Sequence, residues 1–155
     1  MAWEMEKGAR TVVNKCAGVR TGEQVLIVSE ESKRSIAECL AKVAAEAGGE
    51  PAIVTMVPRE RDGQEPPAMI AAAMGQADVF LCVVGKSITH TRAVKEAVAG
   101  GARGLVLTQF SEEMMDHGGI EADLHAIDPI CKALEKKLQN SKVVHLTTPP
   151  VTDIT

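Results

Sequence analysis

The stretch of this 155-residue sequence with the greatest chemical density is Gly85-Lys86-Ser87-Ile88-Thr89-His90-Thr91-Arg92, which separates an apolar run from a helix-patterned segment. One loop there carries an ammonium, three hydroxyls, an imidazole and a guanidinium. Lys86, Arg92 and the hydroxyls of Ser87, Thr89 and Thr91, with the amides that open the next helix, have the chemistry to hold an anion. His90 supplies an imidazole, the side chain with the chemistry to pass a proton near neutral pH. A plainer role also fits, in which Thr89 or Thr91 caps the helix and the remaining groups are solvated. Spacing does not separate the two.

Arg59-Glu60-Arg61-Asp62 reads as a solvated loop with surface ion pairs. Its arginines would hold a substrate carboxylate if the fold brought them to the same edge. Glu30 and Glu31 stand as paired carboxylates, but acidic residues are common in the exposed first turn of a helix, where they face the positive end of its dipole. That plainer reading is adopted. His117 beside Gly118-Gly119 marks a helix end. His125 and His145 stand alone on regular elements, and Met114-Met115 fits packing better than cofactor contact.

Val84-Gly85-Lys86-Ser87 has the look of the end of a phosphate loop, yet the glycine required five positions earlier is Phe80. No G-x-G-x-x-G follows the first strand, and the third strand ends in Val83-Val84 where a phospho-receiver needs an aspartate. Nucleoside triphosphate, dinucleotide and receiver chemistry are thereby set aside.

These loops must be positioned by alternating helices and strands. Apolar spacing predicts an opening helix over 4–18 through Ala9, Val12, Val13 and Cys16. Continuous apolar runs predict parallel strands at 24–28, 52–56, 78–84, 104–107 and 142–146. Between them, Ile36, Leu40 and Val43, then Ile70 and Met74, then Val94 and Ala97 mark core-facing helices. Gly48-Gly49 and Gly100-Gly101 stop two of these. The polar segment 58–67 must be a surface loop. A brief helical turn follows Ser111, and a last helix carries Leu124, Ile127, Cys131, Leu134 and Leu138. Pro129 is either its first residue after an Asp128 cap or a kink in a helix that begins earlier.

The expected fold class is α/β, a three-layer αβα sandwich around a mostly parallel, five-stranded, Rossmann-like sheet, with a single domain at 1–148 and a linker at 149–155. Ligands of such sheets bind beyond the carboxyl ends of the strands, at a topological switch point. That rule selects the loops at 29–33, 58–65, 85–92, 108–111 and 147–148.

Composition bounds the partners. The net charge is −4, from 17 Lys and Arg against 21 Asp and Glu, and the aromatics are Trp3, Phe80 and Phe110 alone. Neither a basic stripe nor stacking platforms are present, so no nucleic acid partner is expected. No run approaches the ~18 apolar residues of a membrane span, and the acidic start lacks the form of a signal peptide, so no membrane partner and a cytoplasmic location are expected. Cys16, Cys39, Cys82 and Cys131 lack zinc-type spacing and fall on apolar stripes, which predicts buried, reduced thiols. Edge strands and Ala-rich helices would allow a homodimer.

Several stretches together resemble the amino-terminal domain of the M29 family of metallo-aminopeptidases (aminopeptidase T-like proteins), which also contains a ring-cleaving iron dioxygenase. They are Gly22-Glu23-Gln24-Val25-Leu26-Ile27-Val28, Pro58-Arg59-Glu60-Arg61-Asp62-Gly63-Gln64-Glu65-Pro66-Pro67, Lys86-Ser87-Ile88-Thr89-His90-Thr91-Arg92-Ala93 and Thr152-Asp153-Ile154. In that family the metal ligands lie in a carboxyl-terminal domain, and this sequence ends at Thr155, before any of them. The resemblance implies no metal ligand here, a divalent metal (Zn, Co, Mn or Fe) in a full-length relative, and a chain inactive by itself. It also implies one wall of a substrate cleft facing the metal domain, taking a peptide or small-molecule substrate. His90 would be the hydrogen-bonding or proton-transfer residue, with Lys86, Ser87, Thr89, Thr91, Arg92, Arg59 and Arg61 around the substrate. The alternative is a free-standing domain that binds a small ligand or docks in a larger assembly.

Overall fold

The run Val25-Leu26-Ile27-Val28 is apolar on both faces of its strand, so both faces must be covered. The computed structural model, which describes residues 4–149 and 152–154, places it inside a parallel sheet. The strands are β1 (Gln24–Ser29), β2 (Glu50–Thr55), β3 (Val79–Val84) and β4 (Arg103–Thr108), in the order β2-β1-β3-β4. Among them run α1 (Glu4–Arg10, continued by π-helical turns over Thr11–Ala17), α2 (Arg34–Glu46), α3 (Ala68–Met74), α4 (Arg92–Ala99) and α5 (Glu112–Asp116).

Strand alternation divides the core in two. Val25, Ile27, Val79, Leu81 and Val83 pack with Ala9 and Val13 from the opening helix and with Ile36, Leu40 and Val43 of α2. Leu26, Val28, Phe80, Cys82 and Val84 pack with Ile70 and Met74 of α3 and Ala93 and Ala97 of α4. Helices therefore cover both faces of the sheet, as the crossover rule requires. Two glycines set how closely the pieces approach. A Cβ on Gly104 would sit 1.9 Å from Cζ of Phe80, and one on Gly8 would sit 1.9 Å from the carbonyl oxygen of Met115.

The sheet has four strands, not the expected five. The apolar run at 142–146 does not join it. Only Leu146 of that run is in a strand, β5 (Leu146–Thr148), which pairs antiparallel with β6 (Thr152–Ile154), with Leu146 opposite Ile154. An antiparallel partner lies next in the chain, and a hairpin needs only a short connection where a parallel strand needs a long crossover. Of the segment read as a linker, Thr152–Ile154 is strand, and Pro150, Val151 and Thr155 lie outside the described residues.

The chain divides into two compact units, one running to Glu121 and the other from Ala122. The first holds the sheet. The second holds α6 (Leu124–Gln139) and the β5–β6 hairpin. Asp123 caps α6, its Oδ1 accepting from the amides of His125 and Ala126 at 3.1 and 3.2 Å, so Pro129 lies inside the helix and Asp128 is not its cap. Leu124, Ile127, Ile130, Leu134 and Leu138 of α6 are all exposed.

The thiols depart from expectation as well. Cys82 is buried and Cys39 partly so, but Cys16 and Cys131 are exposed. For Cys16 the cause is helical: the π-turns after Arg10 widen the spiral, so Ala17 instead of Cys16 follows Val12 and Val13 into the core. Among the described residues no helix is long and apolar enough to cross a membrane.

Candidate functional site

β1 is followed by β2 on one side and flanked by β3 on the other, so the chain reverses its direction of winding between β1 and β3. The loops leaving the carboxyl ends of these two strands begin at Glu30 and Gly85. This is the switch point to which the architecture directs a ligand.

The two motif-bearing loops, 58–67 and 85–91, are clasped together by their own polar groups. The Ser87 amide donates to Oδ1 of Asp62 at 2.7 Å, and the Gly63 amide donates to the Ser87 carbonyl at 2.8 Å. Gly63 takes a left-handed φ of 77°, which lets the loop turn sharply enough to present that amide. Glu65 reaches the start of α4, accepting from the amides of Arg92 and Ala93 at 2.6 and 3.2 Å. Those donations, Arg92's first, hold the Glu65 carboxyl below its ordinary value. The anion at this helix N-terminus is thus the chain's own carboxylate, and the α4 amides that sequence reasoning offered to a ligand are already engaged.

The predicted site residues separate into fold-bearing and free groups. Thr91 is buried; its hydroxyl donates to the Ile88 carbonyl at 2.6 Å and accepts from the Val94 amide at 3.4 Å, which makes it the cap of α4. Of the two candidates for that cap, Thr91 is the one used. Arg59 folds back on its own loop, donating from Nε and Nη2 to the Val57 carbonyl at 3.1 and 2.7 Å. Ser87 and Thr89 share a hydrogen bond between hydroxyls at 2.9 Å. Arg92 is exposed and lies 3.6 Å from Glu96, a pairing that solvent weakens. His90 and Arg61 are exposed and Lys86 is half-buried; none of these side chains bonds to another described residue. The two loops together therefore present an imidazole and two cations on a hydrogen-bonded base.

Sequence reasoning missed three features. Asp62 and Glu65 fix the base, and their spacing from Ser87 and Arg92 carries no local signal in the sequence. Gln109, just beyond β4, holds a left-handed φ of 59° while its amide donates to the Val84 carbonyl at 2.8 Å. Glu30 overturns the reading of an exposed first-turn acid: it is only 3% exposed, whereas its neighbour Glu31 is exposed and pairs with Arg34 at 2.7 Å. The available signal was position, since Glu30 follows the last strand residue with no intervening turn.

Among the described residues no group of three or more His, Cys, Asp or Glu side chains is placed to hold a metal ion. The described donor set does not fit a metal centre, so no chemical step in this chain is assigned to one.

No protein-family model matches the sequence, and no curated protein matches it either. The fold, in contrast, is shared with solved structures. A structure of 2,5-dihydroxypyridine dioxygenase from Pseudomonas putida KT2440 is similar at a TM-score of 0.70 and 12% identity, over 99% of this chain and 46% of that one. Wild-type AmpT from Thermus thermophilus is similar at a TM-score of 0.54 and 16% identity, over 88% of this chain and 48% of that one. The chain thus spans about half the length of each. At such identities the likeness is one of fold.

Proposed function

We propose that this chain is the amino-terminal α/β part of an M29-like metallo-hydrolase of the leucyl aminopeptidase type, forming one wall of its substrate cleft. The observation that carries the reading is the shared fold with AmpT and the dioxygenase over about half of each, joined to the loop motifs clasped at the sheet's carboxyl edge. The divalent metal and its ligands belong to a further carboxyl-terminal domain, which is this chain's first partner, and the protein works in the cytoplasm. His90 faces the substrate as hydrogen-bond donor or proton carrier, with Lys86, Arg61 and the Ser87–Thr89 hydroxyl pair beside it. Thr91, Arg59 and Arg92 support the loops that present them.

Hydrolysis of leucine p-nitroanilide tests this. The 155-residue chain with added Co²⁺, Zn²⁺ or Mn²⁺ is expected to be inactive, and a complete two-domain protein active. Robust turnover by the short chain would overturn the reading. In the complete protein, His90→Ala lowers turnover at least about a hundredfold, the low end of the ~10²–10⁴ range for a proton-transfer group. Its melting temperature stays unchanged, because the side chain is exposed. A variant that unfolds but keeps its activity per folded molecule would make His90 structural.

A second reading is favoured by one observation. The apolar stripe of α6 is exposed along its length, as in a domain that docks on a partner or on a second copy of itself. Sedimentation equilibrium of the isolated chain, compared with Leu134→Glu, distinguishes this from a monomeric fragment.

A further inference from the structure

The Glu30 side chain is a carboxylate without an internal purpose. It is only 3% exposed, and its Oε1 is sealed from solvent with no hydrogen-bond partner among the described residues. Glu30 occupies the cap position ahead of the short 3₁₀ turn Glu31–Lys33, yet its side chain makes no capping hydrogen bond. The cations beside it in the chain are engaged elsewhere, Lys33 Nζ donating to the Phe110 carbonyl at 2.8 Å and Arg34 pairing with Glu31, while Lys86, the residue after Gly85, makes no bond to it. Burying an acceptor in this way opposes folding unless something supplies the missing donor.

The carboxylate's surroundings say where that donor comes from. Oε2 and the unpartnered Oε1 lie 3.1 and 3.9 Å from where a Cβ on residue 85 would be, and that residue is Gly85, so the carboxylate faces bare backbone. Glu30 and Gly85 are the first residues beyond β1 and β3, the two strands that define the switch point. A buried, unpartnered acceptor therefore stands where this class of sheet takes its ligands.

We propose that Glu30 is a recognition residue for a compact organic cation, a primary ammonium, which enters at the switch point and donates to the carboxylate over Gly85. An ammonium fits better than a metal ion, because the described residues offer no cluster of further ligands and a single carboxylate does not complete a metal's shell. Three N–H donors on a small head suit a carboxylate whose Oε1 accepts from no described residue. The inference does not rest on the aminopeptidase reading, since a free-standing binding domain would use the same carboxylate.

The test is amide chemical-shift mapping of the 155-residue chain titrated with butylammonium and, separately, with butanol. Saturable shifts at Gly85 and the residues after β1 are expected with butylammonium, at an affinity at least tenfold better than with butanol. Glu30→Gln, which keeps the shape and removes the charge, is expected to lose that preference. Gly85→Ala is expected to weaken butylammonium binding by placing a methyl against Oε2, and it keeps the question answerable if the Glu30 variant does not fold. Equal response to amine and alcohol would overturn the proposal, as would an unchanged affinity in a folded Glu30→Gln. Saturation by Mg²⁺ or Zn²⁺ in place of the amine would overturn it in favour of a metal. Absence of amine binding, with an ordered water on Oε1 in a crystal structure, would overturn it in favour of a structural water.

Discussion

At the scale of single residues, the loop that looks richest in the sequence divides by burial into groups that hold the fold and groups that face outward. Thr91→Ala removes a buried helix cap and is expected to cost about 1 kcal/mol of unfolding free energy, while Thr89→Ala stays within about 0.5 kcal/mol in urea unfolding. Glu65 offers a test by pH. Its carboxyl lies below the ordinary 4.5 in the folded chain, so its stabilising contribution is complete above that pH and is lost as the pH falls through the folded value. Glu65→Ala is therefore less stable than wild type at neutrality, and the gap in melting temperature narrows under acid. Cysteine reactivity follows exposure: burial pushes the Cys82 thiol up to about 12, so thiol reagents label Cys16 and Cys131 quickly and Cys82 only on unfolding. Mass spectrometry of the labelled peptides checks the order.

At the scale of elements, packing distances decide which small residues cannot grow. Gly104 lies on β4 directly across from Phe80, in the register that pairs the two strands. Any Cβ at Gly104 drives into that ring, so Gly104→Ala is expected to destabilise by about 1–3 kcal/mol through overpacking. If denaturant midpoints do not move, the ring is not held where the structure puts it. The opening helix shows how a local spiral edits a sequence pattern. Its stripe was legible through Ala9, Val12 and Val13, but the π-turns over Thr11–Ala17 could not be foreseen from apolar spacing, and they exchange Cys16 for Ala17. Ion pairs then bind this helix to α2, Lys42 to Glu6 at 2.8 Å and Arg10 to Glu46 at 2.6 Å.

For the whole molecule, all of the buried apolar side chains among the described residues lie between Met5 and Met115. A chain ended at Glu121 is accordingly expected to keep its cooperative thermal transition and its helical and strand circular dichroism, because both cores remain intact. Loss of the transition would mean that the α6 unit is needed for folding. The sequence by itself determined the four runs that became the sheet and their parallel direction, while the order β2-β1-β3-β4 came from the structure. Continuous apolar runs can be buried only between helices, and alternating elements can close only through right-handed crossovers. Only the tertiary structure decided that the last apolar run pairs with its own neighbour instead of the sheet. It alone showed Glu65 filling the helix N-terminus that seemed open to a ligand, and Glu30 lying buried against Gly85. Each of these depends on which distant segments meet, and residue spacing along a chain does not encode the distance between loops that the fold has yet to bring together.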